Sequence, residues 1–307
     1  MRGLPLKSIA WFAAALVVAL PALAGAQAGR RTAAVANVER SATINVVASR
    51  ADGSASAVSA KDLALYDGGI EQTIQGFSQD PSPARILILV DNSLSLRADV
   101  EKLTQATREF AYEIYDGDKV MIVGYDEVAE VIVGWTDDAK EIEKSLTLFR
   151  KKGDPHLFDA LRDVMSAELQ PLGITARKRA IVLVADGLDR GSKAKFPDVL
   201  AELQKQDITV YALQIPDRTG GALRRDRPKP NQVIQQLVDG TGGRILSVEQ
   251  PGEAAKSICD ELRKNRYVLS YTPASVSYYD NRRLLLVGPE GVEVRAKAQQ
   301  PAHIVIR

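Results

Sequence analysis

Beyond the first 28 residues, two uninterrupted apolar runs, at residues 86–90 and 180–185, dominate the hydrophobic pattern of the chain. Runs of this kind, bounded by polar residues, are typical of parallel strands that are buried on both faces. Around them, apolar residues recur at helical spacing, so that strands and helices alternate from residue 86 to residue 264. This alternation predicts an α/β fold, a doubly wound and mostly parallel sheet with helices on both faces.

Shorter β patterns lie on either side of this region. Residues 41–50 alternate as a strand does, and Asp67-Gly-Gly is a hairpin signal because glycine readily adopts positive φ. Neither flank is long enough to bury a core of its own. We therefore expect the flanks to pair into one small β-sandwich with the α/β domain inserted between them. Two separate β additions packed on the main sheet are the alternative. The predicted segments are an N-terminal β segment at 41–80, the α/β domain at 81–265 and a C-terminal β segment at 266–307, with strands at 267–271, 283–287, 292–296 and 304–306.

The first 28 residues have the pattern of a secretory signal peptide. Arg2 and Lys7 precede an apolar stretch at 8–20, and small residues follow it. Because the apolar stretch is short, we favour cleavage over an uncleaved membrane anchor. No later segment is apolar enough to span a bilayer. The expected location is secreted or periplasmic.

Charge and cysteine content narrow the possible functions. The chain has 40 basic and 39 acidic residues, and removal of the signal peptide leaves it close to neutral, so its charge does not indicate nucleic acid as a partner. The one cysteine, Cys259, allows no internal disulfide. It falls within a helical pattern and is interpreted as a buried structural thiol.

Polar residues directly follow both apolar runs. Asp91, Ser93 and Ser95 occupy alternate positions after the first run, and Asp186 follows the second. In open α/β sheets, ligands bind at the carboxyl ends of the strands, and carboxylate and hydroxyl oxygens suit Mg²⁺ or a similar hard cation. Helix capping would explain one of these residues, but not all three in alternate register together with Asp186.

The spacing Asp-x-Ser-x-Ser, with a distant strand-Asp-Gly, resembles the metal-ion-dependent adhesion site of von Willebrand factor type A domains. The resemblance covers roughly residues 81–265, and the segments 61–69 and 266–273 are similar to parts of bacterial secreted proteins described as "VWFA-related domain" proteins. It implies that Ser93 and Ser95 bind the cation directly and that Asp91 and Asp186 approach it, often through water. An acidic side chain of a partner would fill the open coordination position.

One position departs from the family pattern. Where the family usually has a threonine ligand, this chain has Pro155, which offers no side-chain oxygen. Asp154 is a possible substitute, and water is another. A carboxylate at this position would lower the net charge of the ion and weaken its attraction for a partner's acid. The expected cofactor is Mg²⁺, or Mn²⁺ or Ca²⁺, bound weakly or not at all if the missing ligand is not replaced.

The leading functional hypothesis is a secreted, non-enzymatic binding or adhesion module that engages an exposed Asp or Glu of a protein or peptide. A structural scaffold with a degenerate site is the alternative. A Mg²⁺-dependent phosphohydrolase with Asp91 as nucleophile is less favoured, because Ser93 stands where such enzymes commonly have a second carboxylate. His156, His303 and the basic loop at 218–229 are interpreted as surface residues, and Asp189 and Arg190 as a loop that approaches the next helix.

Overall fold

The computed structural model describes residues 41–52, 58–96, 98, 100–216, 228–277 and 279–302. These residues lie in a single compact unit that spans residues 40–307. Several predicted features fall outside the described residues. They are the signal peptide at 1–28, most of the basic loop at 218–229, His303 and the last strand at 304–306.

The strands and helices are numbered in chain order. The strands are β1 Ala42–Arg50, β2 Ala64–Asp67, β3 Ile70–Gln72, β4 Ile74–Gln79, β5 Ala84–Asp91, β6 Lys119–Tyr125, β7 Ala129–Thr136, β8 Lys178–Ala185, β9 Thr209–Gln214, β10 Ile245–Ser247, β11 Arg266–Tyr271, β12 Arg282–Val287, β13 Val292–Ala296 and β14 Gln299–Gln300. The helices are α1 Val100–Arg108, α2 Phe110–Glu113, α3 Ala139–Ser145, α4 Leu157–Val164, α5 Phe196–Lys205, α6 Pro230–Thr241 and α7 Pro251–Lys264.

The central sheet has the strand order β10-β9-β8-β5-β6-β7 in the described part of the chain. Strand β5 lies between β8 and β6 and pairs in parallel with both. The β6–β7 pair is antiparallel, which a short connection at residues 126–128 permits. The sheet is thus mostly parallel, as the apolar runs predict.

Helices cover both faces of this sheet. Alternate residues of β5 point to opposite faces, so that Ile86, Ile88 and Val90 join one apolar core and Leu87 and Leu89 join the other. The first core is completed by α1, α2, α3 and α7, and the second by α4, α5 and α6. Cys259 is buried in the first core, where burial raises the pKa of its thiol.

One helix is shorter than its sequence pattern predicts. The pattern favours a single helix over residues 157–169, but the α-helix ends at Val164 and is followed by a π turn, Met165–Leu169, and a 3-10 turn, Gln170–Thr175. Pro171 explains the change, because proline has no backbone N–H and its ring clashes with the carbonyl of the preceding turn.

The flanking strands form a β-sandwich. One sheet has the order β13-β1-β11-β4 and the other β14-β12-β2-β3 in the described residues, so both flanks contribute to both sheets. Ile44 and Val46 of β1 and Leu269 of β11 face Leu65 of β2 and Leu284 of β12 in a shared apolar core. The sandwich, rather than two separate β additions, is therefore the correct arrangement.

A buried ion pair within one sheet of the sandwich also binds a tyrosine of the other sheet. The guanidinium Nε of Arg282 donates to Asp67 Oδ1 at 2.8 Å, and the hydroxyl of Tyr271 donates to Asp67 Oδ2 at 2.9 Å. Asp67 and Tyr271 are fully buried, and Arg282 almost so. These three residues come from β2, β12 and β11, so the carboxylate joins the two sheets.

A second polar cluster joins the sandwich to the α/β region. Glu261 of α7 accepts a hydrogen bond from the buried Tyr211 hydroxyl at 2.6 Å and pairs with Arg295 of β13. Arg295 also donates to the Gly243 carbonyl at 2.8 Å, and Lys297 donates to the Gln204 carbonyl at 3.1 Å. The sandwich therefore contacts the α/β region through satisfied, partly buried polar groups.

Candidate functional site

The carboxyl end of β5 places the first two candidate residues. Asp91 is the last residue of the strand and Ser93 lies in the connection that follows, and both are fully buried. The backbone N–H of Ser93 donates to Asp91 Oδ1 at 2.9 Å, which holds the carboxylate against the turn. Burial is a consequence of position, since β5 has a strand on each side and helices on both faces.

Strand β8 brings Asp186 to the same edge. The parallel pairing of Val90 with Val184 places the ends of β5 and β8 side by side. Asp186 is buried, and its Oδ1 accepts a hydrogen bond from the Leu188 N–H at 2.8 Å. The two carboxylates that the apolar runs deliver are therefore neighbours across the sheet.

The buried surroundings and the neighbouring carboxylate change the acidity of Asp91. Burial, and to a smaller extent the charge of Asp186, raise the pKa of Asp91 to about 7 from 3.8, although the Ser93 side chain and backbone N–H oppose the change. A carboxyl group in these surroundings is only partly ionised near neutral pH. A cation beside it would favour the ionised form.

Tyr125 and Asp189 also belong to this cluster. Tyr125 ends β6 directly opposite Asp91 in the strand register, and burial together with the charges of Asp91, Asp186 and Asp189 raises the pKa of its hydroxyl. Sequence reasoning missed Tyr125, which is hidden in an apolar strand, and treated Asp189 only as a loop residue. The pairing of residue 91 with residue 125 is the signal that would have identified the tyrosine.

Several buried oxygens at this edge lack a hydrogen bond of normal geometry. They are Asp91 Oδ2, Ser93 Oγ, Asn92 Oδ1 and the Tyr125 hydroxyl. Buried polar atoms are nearly always satisfied in folded proteins, so a group of them calls for an explanation such as a water or an ion. The carboxylate and hydroxyl oxygens of Asp91 and Ser93 fit a hard cation.

Ser95 lies farther out, at a more open part of the rim. Its hydroxyl donates to Asp154 Oδ1 at 3.2 Å and accepts from the Nη1 of Arg190 at 3.2 Å. Pro155 is buried, and its carbonyl accepts from the Arg190 N–H at 2.6 Å. Asp154 thus lies beside the candidate ligand Ser95, as it must if it replaces the missing threonine ligand. It also lies 3.6 Å from the Arg190 guanidinium.

Carboxylate, imidazole and thiol groups do not by themselves make a metal site here. Among the described residues, no group of three or more His, Cys, Asp or Glu side chains could hold a metal ion. The candidate set combines the two carboxylates of Asp91 and Asp186 with the hydroxyls of Ser93 and Ser95. His156 lies nearby, with its ring against Gly191, and its backbone N–H donates to the Asp126 carbonyl.

Residues 86–188 match the family model of the von Willebrand factor type A domain. The chain contains a von Willebrand factor type A domain. The matched segment begins in β5 and ends two residues after Asp186, so this VWA match includes the four residues of the candidate set and Asp154. No curated protein sequence matches the chain.

Solved structures of distant proteins are similar to the chain. An aerotolerance-related membrane protein from Bacteroides fragilis is 20% identical over 59% of this chain and 99% of its own, with a TM-score of 0.46. BatB from Bacteroides thetaiotaomicron is 20% identical over 59% of this chain and 98% of its own, with a TM-score of 0.44. A von Willebrand factor type A protein from Catenulispora acidiphila is 11% identical over 78% of this chain and 73% of its own, with a TM-score of 0.48. The VWA assignment rests on the family match and not on these likenesses.

The described part of the chain contains no helix that is both long enough and apolar enough to cross a membrane.

Gly187, directly after Asp186, is expected to be intolerant of substitution. Its φ is +86°, and an added Cβ would lie 2.4 Å from the Pro230 carbonyl oxygen at the start of α6. We expect Gly187→Ala to lower the free energy of unfolding by about 2 kcal/mol or more, because the left-handed backbone alone costs an alanine roughly 1–2 kcal/mol. Urea denaturation measures this. Gly69→Ala is the control for positive φ without a clash, since its Cβ would meet nothing within 4 Å. Equal losses in the two variants would show that the approach of α6 is unimportant.

Proposed function

We propose that this VWA domain is a non-enzymatic binding module that engages an acidic residue of a protein partner through a divalent cation. The cation would be held by Ser93 and Ser95, with Asp91 and Asp186 beside them, at the carboxyl edge of the sheet. The observation that carries the proposal is the pair of buried oxygens, Asp91 Oδ2 and Ser93 Oγ, that lack a normal hydrogen bond next to a second carboxylate.

Each residue has a separate task in this account. Ser93 and Ser95 offer neutral oxygens, which leave a bound cation electrophilic, and the cation supplies the positive charge that attracts a carboxylate. Asp91 and Asp186 balance the charge of the ion at the buried end of the site. The Ser93 and Leu188 N–H groups hold these carboxylates in place.

The surface around the site suits a protein partner. Leu94 is 69% exposed and Val128 is 62% exposed. Both lie next to the loop at 152–156. The Leu94 N–H donates to the Gly153 carbonyl. The Asp126 N–H donates to the Val128 carbonyl, and the Asp126 carbonyl in turn accepts from the His156 N–H. Exposed apolar side chains next to a polar anchor are typical of protein-binding surfaces.

The proposal includes location and domain organisation. The signal-peptide pattern at residues 1–28 supports export, and we propose that the module acts outside the cytoplasm, secreted or periplasmic. We also propose the boundaries 81–265 for the VWA domain, with residues 41–80 and 266–307 supplying the sandwich on which it is mounted.

Retention on peptides tests this function. Immobilised peptides that carry a single Asp or Glu, and matched peptides with Asn or Gln, are probed with the full chain in Mg²⁺ or in EDTA. We expect acidic peptides to retain the protein in Mg²⁺ alone, and Ser93→Ala to weaken retention at least about tenfold. This variant removes a proposed ligand, whose Oγ makes no hydrogen bond of normal geometry, while the Ser93 backbone N–H still donates to Asp91 Oδ1. Ser78→Ala, on the exposed face of β4, is the control. Retention that EDTA leaves unchanged would refute a metal-mediated contact.

A structural scaffold is the second candidate, and two observations favour it. Pro155 contributes no side-chain ligand, and Arg190 already contacts Ser95. If the domain is a scaffold, neither peptide binding nor thermal stability will respond to Mg²⁺, Mn²⁺ or Ca²⁺.

A further inference from the structure

A permanently charged side chain stands at the outer end of the candidate site. The Nη1 of Arg190 is 3.2 Å from Ser95 Oγ and 3.6 Å from Asp154 Oδ1, and the Ser95 hydroxyl itself donates to Asp154 at 3.2 Å. Arg190, Asp154 and Ser95 thus form one connected polar cluster. Ser95 is a proposed ligand of the cation, and Asp154 is the candidate substitute for the missing threonine ligand.

The backbone around Arg190 is fixed to the start of α4. The Arg190 N–H donates to the Pro155 carbonyl at 2.6 Å, and Asp189 Oδ1 accepts from the Phe158 N–H at 3.1 Å. On the other side, Gly191 has a φ of +102° and lies against the His156 ring, where a Cβ would be 2.5 Å from Nε2. These contacts anchor the residues before and after Arg190, so its side chain starts from a defined point near the rim.

Resting on the proposed function, we propose that Arg190 is a built-in competitor of the divalent cation. Its guanidinium engages Ser95 and Asp154 and must leave them before a cation binds there. The side chain is 43% exposed and that of Asp154 56% exposed, so there is solvent space into which the arginine can move.

The competition follows from charge and from shared ligands. A guanidinium keeps its charge at all ordinary pH values and cannot be neutralised in place. A divalent cation bound to Ser95 would be repelled by it at short range. Asp154, which could replace the missing threonine ligand, is the counterion of Arg190 until the arginine moves away. Arg190 therefore raises the Kd for a divalent cation at this site.

Titration calorimetry with Mn²⁺ on the full chain tests the inference. Arg190→Gln removes the charge, and we expect it to lower the Kd for Mn²⁺ at least about tenfold relative to the wild type. Arg190→Lys keeps the charge, so its Kd is expected to stay within about threefold of the wild-type value. Arg283→Gln, which removes an exposed positive charge from β12 of the sandwich, should leave the Kd unchanged.

The outcomes distinguish this inference from the proposed function. If wild type and Arg190→Gln bind Mn²⁺ equally, or if the variant binds more weakly, the competition is refuted while the metal site stands. If neither binds Mn²⁺, both the competition and the metal-dependent function are refuted.

Discussion

In EDTA, the stability contributed by protonated Asp91 is expected to be lost as the pH rises. Its pKa is raised from 3.8 in the unfolded chain to about 7 in the folded protein, mainly by burial and further by Asp186. The folded state therefore holds this proton more tightly than the unfolded state does. The resulting stability is fully present below 3.8 and disappears as the pH passes through about 7, and it amounts to about 4 kcal/mol.

Divalent metal is expected to reverse this trend. A cation requires the ionised carboxylate, so saturating Mg²⁺ should stabilise the protein more above pH 7 than near the unfolded carboxyl value of 3.8. Urea denaturation across this pH range, with EDTA or Mg²⁺, measures both effects. The control is Asp91→Asn, which should flatten the pH profile in EDTA. If wild type and Asp91→Asn have the same pH profile, the account of this carboxylate is wrong.

Removing the Asp67 carboxylate should cause the largest loss of stability of any single change considered. Asp67→Ala leaves the Arg282 guanidinium buried without its anionic partner and removes the acceptor of the Tyr271 hydroxyl. Breaking one side of a buried ion pair typically costs about 3–5 kcal/mol, and we expect a loss of this size in the free energy of unfolding. Urea or thermal unfolding followed by circular dichroism measures it.

Two further variants separate the buried charge from other causes. Asp163→Ala removes a carboxylate from an exposed pair with Arg162 and should change stability by less than about 0.5 kcal/mol. Arg282→Met, added to Asp67→Ala, removes the buried charge that has lost the Asp67 carboxylate and should recover part of the loss. A loss below about 1 kcal/mol in Asp67→Ala would contradict the proposed role of the pair.

The sheet and the pair of aspartates were predictable because their signals are local. An apolar run fixes a buried parallel strand, and Asp91 and Asp186 then share an edge by the geometry of parallel strands alone. The sandwich was predictable for a similar reason, since two β flanks that are each too short to bury a core are expected to pair with each other. The partner of Asp67, by contrast, lies 215 residues away in Arg282, and no local pattern specifies such a pairing.

The rim of the site was less predictable because it depends on contacts between loops. Pro155 marks a missing side-chain ligand in the sequence, but the sequence does not reveal that its carbonyl binds the Arg190 N–H. That contact turns a loop arginine into a neighbour of Ser95. In the same way, Asp189 follows Asp186 by three residues, yet its bond to Phe158 appears only when α4 is in place.

The most direct test of the central claim is an anomalous difference map from a crystal of the protein soaked in Mn²⁺. The account predicts a single strong peak at the carboxyl edge of β5 and β8, at metal–oxygen bonding distance, about 2–2.5 Å, from Ser93 Oγ and Ser95 Oγ, with the Arg190 guanidinium moved away from Ser95. A map without a peak at this edge, with Arg190 still on Ser95 and Asp154, would contradict it.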